Sequence, residues 1–340
     1  MTEFDFIKRI RARAEKLGSG RELVRGIGDD GAVIGQHSGR DTVVTTDLLV
    51  EDIDFRRDAT PPRLLGYKAL AVSLSDIASM GARPRWALLS IGVPRELWDS
   101  AFIDAFYEGF FAMADKYEIQ LIGGDVSRTP ESIVIDSIVL GECASKREIS
   151  RSGAKPGDHL FVTGSLGGSA AGLRLIERGA RLDDDLGSDR GDSRLLHGLL
   201  LRHLQPEPRV GWGLVLGEEQ LASAMIDLSD GLSSDLHHLC REGKVGAVLE
   251  SARIPLCPLV SELCGRRALD PLLLALNGGE DFELLFTVAP DNITRLPSKV
   301  DGVPLTHIGE IKEASEGVRI AEGSRRWDLE PHGWDHFSHA

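Results

Sequence analysis

DTVVTTDLLVEDIDF (residues 41–55), followed by PPRLLGYKALAVSLSDIASMG (61–81), decides how this chain is read. DTVVTTDLLV is rich in Val and Thr, which suit a pleated, half-buried surface, and predicts a β-strand. Pro61 and Pro62 predict the start of a helix, because proline presets φ and lacks only an amide that the first turn leaves unpaired. Gly81 predicts its end. Each element carries a carboxylate. Asp47 follows VVTT, so its oxygens are expected to leave a strand end beside the hydroxyls of Thr45 and Thr46. Asp76 interrupts an apolar helical stretch, where an unpaired charge is costly.

The same juxtaposition recurs outward from this stretch, in IGDD (27–30), IGGDVS (122–127), MIDLSDG (225–231) and NGGEDFELLF (277–286). Carboxylates that converge from strand ends repel unless cations sit between them. Mg²⁺ takes hard oxygen ligands and commonly joins one or two carboxylates to substrate phosphates, so the pattern points to Mg²⁺ holding a polyphosphate. Asp125 follows two glycines that let backbone approach a ligand. Asp227 and Asp230 stand three apart across a strand-to-loop junction, with Ser229 between them as a phosphate donor. Any one of these acids reads equally well as a cap or turn residue; the set carries the argument. Asp52 and Asp235 read as solvent-facing or capping residues.

At 340 residues the chain favours two domains. A formal charge of −14 argues against a broad nucleic-acid surface, which needs a basic footprint. Cys143, Cys240, Cys257 and Cys264 lack CxxC spacing, so structural zinc is not expected. No apolar run reaches the ~18 residues of a membrane span, and the N-terminus is charged throughout, which gives a cytoplasmic, reducing expectation.

A helix is expected over 3–17, with strands at WALLSIGV (86–93), EIQLIGG (118–124) and SIVIDSIVLGEC (132–143) and a helix at 100–117. RSGAKPGD (151–158) reads as a boundary between domains 1–150 and 151–340. Beyond it, 159–179 reads as strand, glycine loop and helix, 181–195 as an exposed polar excursion, the region around 210–222 as helical, and 225–243 as strand, loop and helix. The fold class is α/β (α+β) in two domains, not a purely parallel sheet.

No GxxxxGK[ST] loop is present, and VTGSLGGSAAG (162–172) does not follow GxGxxG although Asp183–Asp185 lie downstream. Arg151 reads as a phosphate contact or an interdomain salt bridge. Lys68 is either a phosphate contact or an exposed helix lysine. Tyr107 is an aromatic platform or part of an apolar helix face. Trp334 lies in a polar tail, where an exposed tryptophan needs a reason; it is an aromatic platform or an ordinary tail residue.

The ordered motifs GIGDDGAV, TTDLLVEDIDF, YKALAVSLSDIASMGA, LIGGDVS, RSGAKPGD, MIDLSDGLSSDL, GGEDFELLFT and GWDHF span nearly the whole chain. In these it closely resembles the thiamine-monophosphate kinases, within the superfamily of aminoimidazole ribonucleotide synthetase and selenophosphate synthetase. The resemblance implies a mixed-sheet N-terminal domain that forms a homodimer through its sheet, a C-terminal α/β domain, and ATP with several Mg²⁺ ions in the cleft. By motif matching it implies metal roles for Asp30, Thr45, Thr46, Asp47, Asp76, Asp125, Asp227 and Asp230. Gly124, Asp125, Arg151 and Ser229 become nucleotide contacts, and Asp54, Glu280 and Trp334 contacts to thiamine phosphate; Tyr107, as an aromatic platform read from its residue type, is added to the nucleotide contacts. Asp54 stands where the family carries a histidine; it would recognise the thiamine moiety by charge or hydrogen bond, or face water. Glu280 has a structural turn role as its alternative. The implied reaction moves the γ-phosphate of ATP onto thiamine phosphate without a catalytic side chain as proton acceptor. The rivals are ATP activation of another small substrate on the same fold, and a silent nucleotide-binding regulator.

Overall fold

The computed structural model describes residues 23–36, 39–182, 190–266 and 270–334; the helix expected over 3–17 lies outside them, as do Asp183–Asp185 and Asp335–Phe337. Strands β1 (Leu23–Arg25), β2 (Ala32–Gly35), β3 (Arg40–Val50), β4 (Arg83–Val93), β5 (Gln120–Arg128) and β6 (Val134–Ala144) form one sheet in the order β1-β2-β3-β6-β4-β5. Every pair in it is antiparallel except β4 with β5. A second sheet holds β7 (His159–Thr163), β8 (Ala224–Asp227), β9 (Val245–Glu250), β10 (Leu284–Val288), β11 (Lys299–Val300), β12 (Val303–Glu313), β13 (Val318–Glu322) and β14 (Arg325–Asp328). Its order is β14-β13-β9-β12-β7-β10-β8, with β11 paired to β12 and only β13 parallel to its neighbour β9. The expected mixed α/β architecture is present.

The helices are α1 (Pro62–Ser79), α2 (Arg95–Trp98), α3 (Phe102–Lys116), α4 (Gly168–Glu177), α5 (Arg190–Leu204), α6 (Val210–Glu218), α7 (Leu232–Gly243), α8 (Pro258–Arg266) and α9 (Pro271–Asn277). Helix α1 begins as its sequence predicts, with Pro62 in the first turn, and stops before Gly81, which takes a left-handed φ of 66°. It is buried on all sides: Leu65, Leu70, Leu74 and Ile77 are each excluded from solvent, contributing roughly 1.5–3 kcal/mol apiece. Gly66 and Gly109 let α1 and α3 touch backbone to backbone, since a Cβ at Gly66 would lie 1.8 Å from the Phe106 carbonyl oxygen. On its other side α1 meets α6, where Gly213 and Gly217 approach the carbonyls of Ala78 and Gly81. One apolar core therefore runs from Leu70 and Leu74 through Trp212 to Phe286 and joins the two sheets.

Two expectations change. The polar stretch 181–195 is not wholly an excursion: α5 begins at Arg190, and Leu195 is buried against Leu199 and Val260. The helical region around 210–222 is shorter than expected: α6 covers Val210–Glu218, and Pro206 and Pro208 separate it from α5, which ends at Leu204. The four cysteines are buried and unpaired, with Cys257 just before α8 and Cys264 on it, both in one apolar cluster with Val260 and Leu263.

Candidate active site

Helix α1 organises the acidic set. Ser73 donates to Asp47 Oδ2 at 2.7 Å, Ser75 to Asp227 Oδ2 at 2.6 Å and Ser79 to Asp30 Oδ2 at 2.8 Å. Asp76, on the same helix, accepts from the Thr45 hydroxyl. One helix thus reaches carboxylates on the loop before β2, on β3 and at the end of β8. Asp30, Asp76 and Asp227 bring one oxygen each within 4.8 Å of the others. Burial pushes the Asp47 carboxyl up to about 6 and the Asp227 carboxyl up to about 8, with Asp30 adding to both by repulsion. Asp76 is raised well above its usual range by burial, then by Asp47, Asp227 and Asp30. These groups resist sharing the site as anions.

Arg151 closes one side. Its guanidinium pairs with Asp30, and its backbone amide donates to Asp29 Oδ1 at 2.7 Å, tying the start of the second half of the chain to the first. Burial opposes its charge, but Asp30 holds it protonated. The salt-bridge reading is therefore realised, while Arg151 Nε stays buried without a partner. Ser137 Oγ, opposite Asp47 in the β3–β6 register, is likewise buried and unpartnered. Hard carboxylate and hydroxyl oxygens, mutual repulsion and two orphaned buried polar groups fit a divalent-cation and phosphate site.

Strand geometry separates the predicted ligands. Asp47 does not leave a strand end, since β3 continues to Val50; it points from mid-strand toward α1. The two-residue period turns Thr46 to the opposite face, where its hydroxyl donates to Asp136 Oδ1 at 2.6 Å. Asp125 pairs with Ser90 in the cross-strand row of Asp136 and Leu48, which projects to that same open face. The side chains of Thr46 and Asp125 are not brought to the cluster. The missing side chain at Gly124 serves the neighbouring strand, because a Cβ there would lie 1.9 Å from the Leu89 carbonyl oxygen. Tyr107 packs on Phe106, Phe110 and Phe111 of its own helix and lines an open hollow of about 740 Å³ with Arg63 and Asp104.

Asp230 belongs to a second group with Asp235 and His238. Asp235 is a cap, not a solvent residue: its Oδ2 accepts from the amides of Asp230 and Gly231 ahead of α7. Asp54 accepts the Val50 amide at 2.8 Å, and Asp52 is exposed.

The loop 277–283 is a row of acids, each with its own partner. Glu280 receives Lys68 Nζ at 2.7 Å and 2.9 Å on its two oxygens, and His203 Nδ1 lies 3.1 Å away. Lys68 is thus neither exposed nor free for a phosphate. Asp281 accepts the amides of Gly167 and Ser169 at the start of α4. Glu283, wholly buried, takes both Arg209 nitrogens at 2.5 Å and the Thr163 hydroxyl at 2.7 Å. Glu280 and Phe282 both take left-handed φ values, 61° and 48°, which cost energy and concentrate at functional sites. The Glu280 amide donates to the Ser229 carbonyl and the Trp334 amide to the Asp230 carbonyl, so a carboxylate and an exposed indole hang from consecutive residues of one loop. Ser233 and Ser234 pin the tail by accepting the amides of His332 and Gly333.

Sequence reasoning missed Ser73, Ser75, Ser79 and Ser137. The signal was present for the helix serines: three hydroxyls inside an apolar helix that is buried all round need partners.

The fold and this site define an ATP-handling class of known architecture. Family models for the AIR synthase related protein match residues 28–143 (N-terminal domain) and 155–321 (C-terminal domain). The chain is 38% identical to the thiamine-monophosphate kinase of Escherichia coli K12 over 343 residues, covering 99% of this chain and 98% of that one. It is 35% identical to the Bacillus subtilis enzyme, covering 99% and 100%. A solved structure described as AaThiL complexed with AMPPCP and TMP superposes with a TM-score of 0.84 at 32% identity, covering 99% and 97%. The chain belongs to the thiamine-monophosphate kinase family.

Proposed function

We propose that this chain transfers the γ-phosphate of ATP directly to the phosphate of thiamine monophosphate, giving thiamine diphosphate and ADP. Family membership supplies the substrates. The observation that carries the chemistry is the meeting of Asp30, Asp76 and Asp227 under the hydroxyls of one buried helix. Bound Mg²⁺ would neutralise the charge that builds between two phosphate-bearing substrates. The acceptor is already an anionic phosphate oxygen, so no side chain has to remove a proton, and positioning dominates.

In this reading Asp30, Thr45, Asp47, Asp76 and Asp227 hold the cations, and Asp230 holds a further one at the α7 loop. Arg151 and Ser229 take phosphate oxygens, Arg151 through the nitrogen that burial leaves unpaired. Gly124 and Asp125 approach the nucleotide from the edge strand β5, and Tyr107 is its aromatic platform on α3; Thr46, turned to the face away from the cluster, takes no ligand. Glu280 and Trp334 present a carboxylate and a ring face to the cationic thiazolium and its pyrimidine. Asp54 contacts the thiamine moiety from the β3 turn.

Residues 1–150 form the nucleotide, metal and dimer half, and 151–340 complete the site. Homodimerisation is assigned to the open face and edge of the first sheet, where Ile34, Leu48, Ile122 and Val126 are exposed. Among the described residues no helix is long and apolar enough to cross a membrane. Four buried, unpaired thiols accord with a cytoplasmic location.

The test is transfer from γ-labelled ATP with thiamine monophosphate and free thiamine as parallel acceptors. Label in thiamine diphosphate, one ADP per product, from the monophosphate alone and lost with EDTA, supports the reading. ATP binding without transfer to either acceptor removes it in favour of a nucleotide-binding regulator.

A further inference from the structure

We infer that Lys68 is a positioning residue for the thiamine end of the substrate, clamping both oxygens of Glu280 so that the carboxylate faces the cleft in one orientation. This rests on the reading of Glu280 as the carboxylate that meets the cationic ring.

The pair is asymmetric. The Lys68 side chain is 1% exposed and that of Glu280 26%, so the ion pair is sealed on the ammonium side and open on the carboxylate side. A buried ion pair is weak evidence for stability, since desolvation offsets most of its attraction and an apolar pair of similar volume is often as stable. A pair open on one edge has a different use: it holds a charge where a ligand can reach it. The supports behind Glu280 follow the same pattern. His203 Nδ1 lies 3.1 Å from Glu280 Oε2 and 3.0 Å from Ser169 Oγ. Burial and then Lys68 lower the His203 pKa to about 4, so the ring is neutral and leaves the cation role to Lys68. Burial alone would raise the Glu280 carboxyl; Lys68 foremost brings it below its usual value.

Helix α1 connects this end of the site to the metal end. Lys68, Ser75 and Ser79 are spaced seven and eleven residues apart and so share one stripe of the helix. That stripe meets Glu280, Asp227 and Asp30 in turn. Lys68 and Asp76 are separated by a rise of about 12 Å along a rigid, buried helix. The same element thereby carries the side chains behind both the ring end and the phosphate end of the site.

The experiment measures KM for thiamine monophosphate, KM for ATP and kcat in wild type, Lys68→Met, Lys68→Arg, Glu280→Gln and Lys68→Met/Glu280→Gln. Losing a charge-assisted hydrogen bond predicts that K68M raises KM for thiamine monophosphate at least about tenfold, with kcat within about threefold and ATP KM unchanged. K68R keeps the charge and so protects folding while displacing the donor; it predicts a rise of about threefold in the same KM alone. In the E280Q background K68M adds less than about twofold, because the residues act as one unit. An unchanged KM in K68R and K68M, equal losses for both substrates, or full additivity in the double variant overturns the proposal. E280Q with a wild-type KM for thiamine monophosphate instead overturns the Glu280 reading beneath it.

Discussion

Asp76→Asn is predicted to stabilise the metal-free protein while destroying its response to metal. Three ionised carboxylates with oxygens within 4.8 Å repel by about 332/(20 × 4.8), or roughly 3.5 kcal/mol per pair at an effective dielectric constant of 20. Asp76 enters two of the three pairs, so its charge accounts for about 7 kcal/mol of gross repulsion. Asp76 and Asp227 relieve most of that by holding protons, as their raised pKa directions indicate. A net metal-free gain on the order of 1–3 kcal/mol remains. Asn keeps an acceptor for the Thr45 hydroxyl, so the local hydrogen bond survives. For a chain of 340 residues at ~2.1 cal/mol/K each, 1 kcal/mol moves Tm by about 1.4 °C. Thermal melts in EDTA should therefore show D76N about 1–4 °C above wild type. At a ligand concentration of about 100 Kd, wild type should gain about 2.7 kcal/mol, near 4 °C, from Mg²⁺ with a non-hydrolysable ATP analogue. D76N should gain less than half of that, so its lead over wild type narrows by at least about 2 °C. A D76N protein that melts below wild type in EDTA, or gains as much from Mg²⁺, refutes the reasoning.

Metal-free stability should fall as pH rises from about 4 to about 8. Burial raises the folded-state carboxyls of Asp47 to about 6 and Asp227 to about 8, so the folded state keeps protons that the unfolded chain releases first. Urea midpoints across that window check this, and a rising midpoint contradicts it. Ser75→Ala removes the hydroxyl that orients Asp227 and should raise the Mg²⁺ concentration for half-maximal activity roughly tenfold or more, read by metal titration. Arg209→Met leaves the wholly buried Glu283 without its bidentate partner and should cost about 3–5 kcal/mol in urea denaturation; a loss below about 1 kcal/mol contradicts that account.

Much of the architecture was legible because α1 and the strands around it obey local rules. Prolines at 61 and 62, a glycine at 81 and a Val/Thr run at 41–50 each specify their element without help from the rest of the chain. The acids were legible as a set for a similar reason: a carboxylate in an apolar run announces a cost that something must offset. Their division between faces was not legible. Thr45 and Thr46 are equivalent in composition, and only the register with β6 decides which one meets α1. The partner of Lys68 was hidden for the same reason, since 212 residues separate it from Glu280 and no local pattern marks a buried lysine. Gly124 carries a further reason for its missing side chain that no local pattern marks: the backbone of β4 packs against it.

The central claim is that cations held among Asp30, Asp76 and Asp227 position the transferred phosphate. The most direct measurement is anomalous diffraction from crystals grown with Mn²⁺, a non-hydrolysable ATP analogue and thiamine monophosphate. Mn²⁺ peaks are expected within coordination distance of Asp30, Asp76 and Asp227 oxygens, with the γ-phosphate bound to the same ions and facing the acceptor phosphate. Nucleotide bound with its metal elsewhere, and these three carboxylates coordinating nothing, would contradict it.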